Sequence, residues 1–315
     1  MKIETLDFGI EIKVDLNKSS DAELNDIIYE SIKSRLCIIR NQGISLERLD
    51  YINDQWGIHQ PANIWASHKE FPKIIRVTNK EVEEGKAGLL HDQELDWHCN
   101  GVFAPDPEES VMLFCVEPSQ GGETQFACGV HAYETLNKKT RESIENSKIF
   151  LTNRIAETFA KKSVYGMWLP HEQKDLDKMS SRNRKFAGGA DGNPYDKDID
   201  YMETKRSDLP QKRDKSIEKQ LVVSHPVTGN QGLYFPFYSV SEFKDLANDV
   251  SQKEIFNELV DVYVGNKAKI HTHSWSKGDI VISDQIHSLH RREPYSGTRE
   301  LYRTAFWYKE DIKNV

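Results

Sequence analysis

Cysteine is scarce: four in 315 residues, none in a C-x-x-C pair, which argues against a disulfide framework or a thiolate zinc site. Long apolar runs are missing as well. None approaches the roughly 20 residues that cross a bilayer, and Met1 to Lys18 alternates charge with Leu and Ile rather than building a signal-peptide core. There is no basic excess, since 42 Lys and Arg stand against 50 Asp and Glu for a net charge of −8. A partner held through phosphate neutralisation, such as nucleic acid, is therefore disfavoured. The chain contains no G-x-S-x-G elbow, no G-x-G-x-x-G and no G-x-x-x-x-G-K-[ST], so nucleophilic hydrolases and nucleotide folds lack their usual signals. No repeat, low-complexity tract or linker interrupts it. These absences predict a cytoplasmic, globular, single-domain protein (1–315) with no nucleic-acid or membrane partner.

What is present begins with helices. Ser20-Asp21-Ala22-Glu23 has the form of a capping box, and Leu24, Ile27, Ile28, Ile32 and Leu36 follow at helical spacing, predicting a helix over about 21–35. Ser45 caps a second, with Leu46, Leu49, Ile52 and Trp56 on one face. Short strands are expected at 37–39, 73–78, 111–116, 124–127, 220–224, 232–235, 279–283 and 301–308, with helices over 131–146 and 241–263 outside them. Many short strands with Gly- and Pro-containing turns predict a barrel or sandwich. Residues 179–220 break the pattern, with 18 charged and 10 apolar residues in 42. They read either as a polar insertion or as a lid over a substrate.

Candidate chemistry gathers at a few places. His98 lies in Leu95-Asp-Trp-His-Cys-Asn-Gly101 and His290 in Ser283-Asp-Gln-Ile-His-Ser-Leu-His-Arg-Arg292. Thr124 follows a tight Gly121-Gly122 turn, and Arg299 and Arg303 lie on the strand after His290. A metal, a hydroxyl and a fixed guanidinium together suit a dicarboxylate, with arginine gripping one carboxylate and the metal chelating the other end. His271 and His273 alternate on a strand and form a weaker metal pair. His287 reads as packing or pocket lining, Trp97 as core, and Cys99 and Cys128 as small hydrophobes.

In combination these segments resemble the iron(II)/2-oxoglutarate-dependent oxygenases of the taurine-dioxygenase-like (TauD/TfdA) branch. Arg35-Leu-Cys-Ile-Ile-Arg-Asn-Gln42 resembles its early strand, Trp97-His98-x-x-Gly101 its first metal motif, and Gly121-Gly122-Glu-Thr124 its co-substrate motif. His225-Pro226-x-Thr228-Gly229 with Leu233-Tyr234 resembles its central strand pair, and Gly278-Asp279 through Asp284 with His290-Arg291 its distal histidine. The resemblance covers most of the chain. It implies a mainly β fold with helical insertions, a double-stranded β-helix (jelly roll, cupin-like). It also implies that His98 and His290 bind Fe(II), that Thr124 and Arg303, with Arg299 nearby, hold the remote carboxylate of 2-oxoglutarate, and that O2 is the second co-substrate. The expected reaction is oxidation of an unactivated C–H bond of a small polar substrate, hydroxylation first, with release of succinate and CO2. A zwitterion such as an amino acid is one candidate substrate.

One residue departs from the pattern. The family's His-x-Asp/Glu is here His98-Cys99-Asn100, so the carboxylate of the two-histidine, one-carboxylate triad is missing. Three readings stand open: Asn100 is a neutral ligand or lies behind the metal; the position admits water or halide, as in radical halogenases; or the site is degraded or carries an Asp→Asn change. Desaturation is a further outcome on the same scaffold, and a catalytically silent ligand-binding module is the reading from another class. Asp92, Glu94 and Asp96 are the nearby carboxylates that would serve as substitutes.

Overall fold

A computed structural model describes residues 1–59, 66–83, 86–87, 94–104, 106–154, 157–162 and 216–313. Two sheets face each other. The larger has eight strands, in the order Lys2–Thr5, Ile10–Lys13, Leu36–Ile39, Ile280–Asp284, Ser110–Glu117, Glu300–Trp307 and Ile58–His59, with Ile75–Thr78 also paired to Glu300–Trp307. The smaller has four: Ile270–His273, Thr124–Cys128, Ser288–Arg292 and Leu95–His98. Apart from the parallel contact between Ile10–Lys13 and Leu36–Ile39, the pairings in these two sheets are antiparallel. Phe126 and Cys128 of the smaller sheet share one apolar cluster with Leu36, Ile38 and Val281 of the larger. That cluster is the inside of a double-stranded β-helix.

The helices close the outer faces, for reasons already visible in the chain. Ser20 caps Asp21–Ser34 by accepting from the Glu23 N–H at 3.3 Å, and Leu24, Ile27, Ile28 and Ile32 are buried with Ile12, Ile39 and Ile282 of the larger sheet. Leu46–Trp56 is capped by Ser45 and buries Leu49, Ile52 and Trp56 in the same cluster. A separate core gathers Ala127, Leu289, Leu151, Phe243 and Leu259, packing helix Gln252–Val264 and the three-stranded sheet of Ser216–Gln220, Lys148–Thr152 and Val240–Lys244 against the outside of the smaller sheet.

Three expected elements are corrected. The helix over 131–146 is two, Gly129–Thr135 and Lys138–Ile144, because Asn137 accepts the Thr140 N–H at 2.9 Å and starts a new helix. The helix over 241–263 begins only at Gln252, after the Ser251 cap, and Val240–Lys244 before it is a strand. The strand over 220–224 is split, Leu221 turning inward between Ser216–Gln220 and Val222–Ser224. Within the 179–220 insertion, 179–215 lie outside the described residues. No described helix is long and apolar enough to cross a membrane, and the four cysteines are free and buried.

Candidate active site

Strand register brings the two histidines together. Leu95–His98 pairs with Ser288–Arg292 so that His98 sits directly opposite His290, and Thr124–Cys128 flanks the other side with Phe126 opposite His290 and Thr124 opposite Arg292. Alternate residues of a strand share a face, so Thr124, Phe126, His290 and Arg292 all point to one side. The Phe126 cluster identifies that side as the interior. The imidazole centroids of His98 and His290 are 4.1 Å apart, and Phe126 stacks on His290 at 6.2 Å.

Both rings suit a divalent metal. The Nδ1 of His98 lies 2.6 Å from the Asp96 carbonyl oxygen, which can only accept, so Nδ1 carries the proton and Nε2 keeps its lone pair. His290 Nδ1 is buried without a partner among the described residues. Burial holds His98 neutral down to about 4, and burial together with the neighbouring His98 holds His290 far below the ordinary imidazole range. Two neutral imidazoles with available lone pairs fit two positions of a metal centre.

A third protein ligand is less obvious. Asn100 follows His98 by two residues, and its backbone N–H donates to Gln285 Oε1 at 3.0 Å. Of the substitute carboxylates, Asp96 is held by Lys162 at 2.6 Å and by the Trp97 N–H, while Glu94 stands 4.0 Å from Arg291. Asp92 lies outside the described residues. Among the described residues no three His, Cys, Asp or Glu side chains converge as a metal cluster. Asp96 is accordingly committed elsewhere. His271 and His273 are not part of the centre either: His273 is fully buried 3.3 Å from Asp279, whose carboxylate also receives Arg40 at 3.1 Å.

The arginines divide between two places. Trp275 Nε1 donates to Thr124 Oγ1 at 2.9 Å, and the Arg299 guanidinium lies over the Trp275 ring at 5.7 Å and the Tyr295 ring at 5.4 Å. Arg292 covers the same Tyr295 at 5.1 Å. Arg299 is 2% exposed, its Nε has no partner, and no described carboxylate pairs with it. Burial first, then the Arg292 charge, pulls its guanidinium down to about 9. Arg303 is engaged differently, its Nη2 donating to the Glu108 carboxylate. The sequence named His98, His290, Asn100, Thr124 and both arginines, with Arg303 rather than Arg299 expected on the remote carboxylate; it did not single out Glu108, Trp275, Gln285 or Arg292. Gln285 and Arg292 at least lie inside the quoted distal-histidine segment, whereas Glu108 and Trp275 sit in turns with no periodic signal.

Beneath the site runs a second buried network. His225 Nε2 lies 2.9 Å from Asp284 Oδ2, Tyr308 donates to the same oxygen at 3.4 Å, and His287 Nε2 lies 3.0 Å from the Val223 carbonyl. Burial lowers His287 to about 4. His98 and His287 therefore stay neutral in the folded protein while ordinary histidines charge near 6.5. Below about 6.5 the unfolded chain binds protons that the folded one does not, so stability present at neutral pH is lost as pH falls toward 4, by about 2 kcal/mol per group at pH 5. Urea denaturation of the metal-free protein at pH 7 and pH 5 checks this, and an unchanged midpoint would contradict it.

Beside the histidines lies a groove of about 310 Å³, lined by Asn100, Glu108, Tyr234, Gln285 and Ile286 among others. It opens on the Asn100 end of the site.

Comparison with known proteins places the chain in a family. The model of the family described as "Taurine catabolism dioxygenase TauD, TfdA family" matches residues 2–305. Pentalenolactone F synthase of Streptomyces arenae is 22% identical over 232 residues, covering 73% of this chain and 67% of that protein. The (S)-phenoxypropionate/alpha-ketoglutarate-dioxygenase of Delftia acidovorans is 24% identical over 200 residues, 63% of this chain and 55% of that protein. Among solved structures, AAD-2 in complex with Mn(II) and N-oxalylglycine superposes with a TM-score of 0.65 at 18% identity, covering 98% of both chains. A taurine dioxygenase from Burkholderia xenovorans gives 0.63 at 16%, covering 98% of this chain and 89% of that one. These structures share the fold, and the match over residues 2–305 makes the chain a member of the TauD/TfdA family, a 2-oxoglutarate-dependent dioxygenase.

Proposed function

We propose that the chain, as a single catalytic domain over 1–315, hydroxylates an unactivated C–H bond of a small polar molecule using Fe(II), 2-oxoglutarate and O2. His98 and His290 would hold the iron. Thr124 and Arg299 would hold the distal carboxylate of 2-oxoglutarate. One observation carries this reading. Thr124 stands opposite Arg292, two residues along the strand from Phe126, which stands opposite His290; two residues of strand span roughly 7 Å, a reach that suits a five-carbon dicarboxylate. Arg299 awaits an anion there, while Arg303 already has one in Glu108. Bound iron supplies the redox chemistry that splits 2-oxoglutarate to succinate and CO2 and attacks the substrate. The protein's part is to keep both imidazoles neutral, orient them through the Asp96 carbonyl and Phe126, and fix the dicarboxylate. A reducing, cytoplasmic setting belongs to the same proposal, supported by the four buried free thiols.

Asn100 favours a second reading, because a neutral amide in the carboxylate position suits a silent binding module or a centre open to halide. The discriminating assay is conversion of 2-oxoglutarate to succinate. Oxygen- and iron-dependent succinate is expected even without the substrate; none, with iron bound no better than by His98→Ala, would favour the silent module. If the Asn100 side chain faces the metal, Asn100→Asp tightens Fe(II) binding by roughly ten-fold or more, by supplying the missing charge. Calorimetry decides, and an unchanged affinity would turn that side chain away from the iron.

A further inference from the structure

Resting on the oxygenase reading, we infer that Glu108 selects the substrate: by occupying Arg303 and presenting its second oxygen to the groove, it admits a group with an amine nitrogen and turns away carboxylates and sulfonates. Arg303 and Glu108 are both largely buried, with side chains 16% and 9% exposed, and they are bonded to each other. The pair stands at the Asn100 end of the site: a Cβ added to Gly101, three positions after His98 in the chain, would come within 2.5 Å of Glu108 Oε2, and Glu108 and Asn100 line the same groove.

The charges then decide what fits. A lone buried guanidinium beside the iron would welcome an anionic substrate end. Here the Glu108 carboxylate cancels it, and an arriving carboxylate would have to displace Glu108 and leave that charge buried without a partner, a strongly unfavourable exchange. The groove beyond offers no compensation. Its described lining carries Asp106, Glu108 and Glu109 against Lys219 alone, and Glu109 is already held by Lys313 at 3.2 Å and the Tyr308 N–H at 2.7 Å. Glu108 Oε1 takes the arginine, while Oε2 receives no hydrogen bond among the described residues although Glu108 is nine-tenths buried. A carboxylate oxygen that a largely buried side chain turns to a groove calls for a donor, and an ammonium or neutral N–H supplies one. The phenoxypropionate enzyme of Delftia acidovorans, by its name, takes an acid; this chain would refuse one.

The test uses matched probes, n-hexylamine and hexane-1-sulfonate, titrated by calorimetry into anaerobic protein holding Fe(II) and 2-oxoglutarate. Wild type is expected to bind the amine at least about ten-fold more tightly than the sulfonate, and Glu108→Gln to reverse that order by freeing Arg303. Arg303→Met forms a second arm should the first variant fold poorly: it uncovers Glu108 and strengthens amine binding. A preference unchanged by Glu108→Gln, no binding of either probe to any form, or amine affinity lost in Arg303→Met would overturn the inference. The visible absorption of iron-chelated 2-oxoglutarate is read in the same wild-type samples. Its absence would be a failure of the oxygenase reading, whereas its presence with an unaltered probe preference would sink this inference alone.

Discussion

Replacing Arg299 with leucine should raise the Kd for 2-oxoglutarate by about 100-fold or more, and at the same time make the ligand-free protein more stable. Both effects follow from one circumstance. The guanidinium is 2% exposed, its Nε has no partner, and no described carboxylate pairs with it, so among the described residues it is a desolvated charge set against the faces of Trp275 and Tyr295. Exchanging such a group for an apolar one of similar volume is stabilising by about 1–4 kcal/mol in comparable buried settings. Once the dicarboxylate arrives the sign reverses, because breaking a buried ion pair costs about 3–5 kcal/mol, or roughly two to three and a half decades in Kd. Calorimetry gives the affinity and thermal denaturation with and without 2-oxoglutarate gives the stability. A merely structural arginine would lower the melting temperature in both conditions. A larger affinity loss in Arg303→Leu than in Arg299→Leu would transfer the clamp to Arg303, contrary to its engagement with Glu108.

The second large effect is at the metal. His290→Ala should reduce Fe(II) affinity by at least about 100-fold and leave no measurable iron-dependent succinate. The loss is expected to be severe because this site has so little in reserve: among the described residues, no further His, Cys, Asp or Glu joins His98 and His290 in a metal cluster. His287→Ala is the matched control. That ring is fully buried and fills the space against Gly232, where an added Cβ would meet it at 2.9 Å, so its removal should lower stability yet change iron affinity by less than about three-fold. If His290→Ala retained iron-dependent turnover, the centre assigned to His98 and His290 would be discarded.

Much of this was legible in the chain, and the reasons are local. The two N-terminal helices carry their caps and their apolar stripes within a few residues, so Ser20, Ser45 and the Leu/Ile spacing sufficed. The strands expected over 37–39, 73–78, 111–116, 124–127, 279–283 and 301–308 lie within two residues of those observed, whereas Lys2–Thr5, Ile10–Lys13, Ile58–His59, Leu95–His98 and Ser288–Arg292 of the same two sheets were not anticipated. The histidine pair was named from the order of the quoted segments. That the two rings face each other could not be read from spacing, since a separation of 192 positions is closed only by the register of Leu95–His98 against Ser288–Arg292.

What escaped the sequence depends on partners far along the chain. The assignment of Arg299 and Arg303 to different neighbours is set by Trp275 and by Glu108, neither of which sits in a periodic element. Residues 241–250 looked helical because their apolar spacing is compatible with either period, and pairing with Lys148–Thr152 drew Val240–Lys244 into a strand. Asp96 was available on paper as a substitute carboxylate; Lys162 and the Trp97 N–H take it.

The most direct measurement is an anaerobic titration of the purified protein with Fe(II) and 2-oxoglutarate, followed by visible absorption. A metal-to-ligand charge-transfer band is expected that needs both additions, persists despite Asn100, and is lost in His290→Ala. Folded protein that develops no band would contradict the account, leaving the histidine pair without iron and Thr124 and Arg299 without their dicarboxylate.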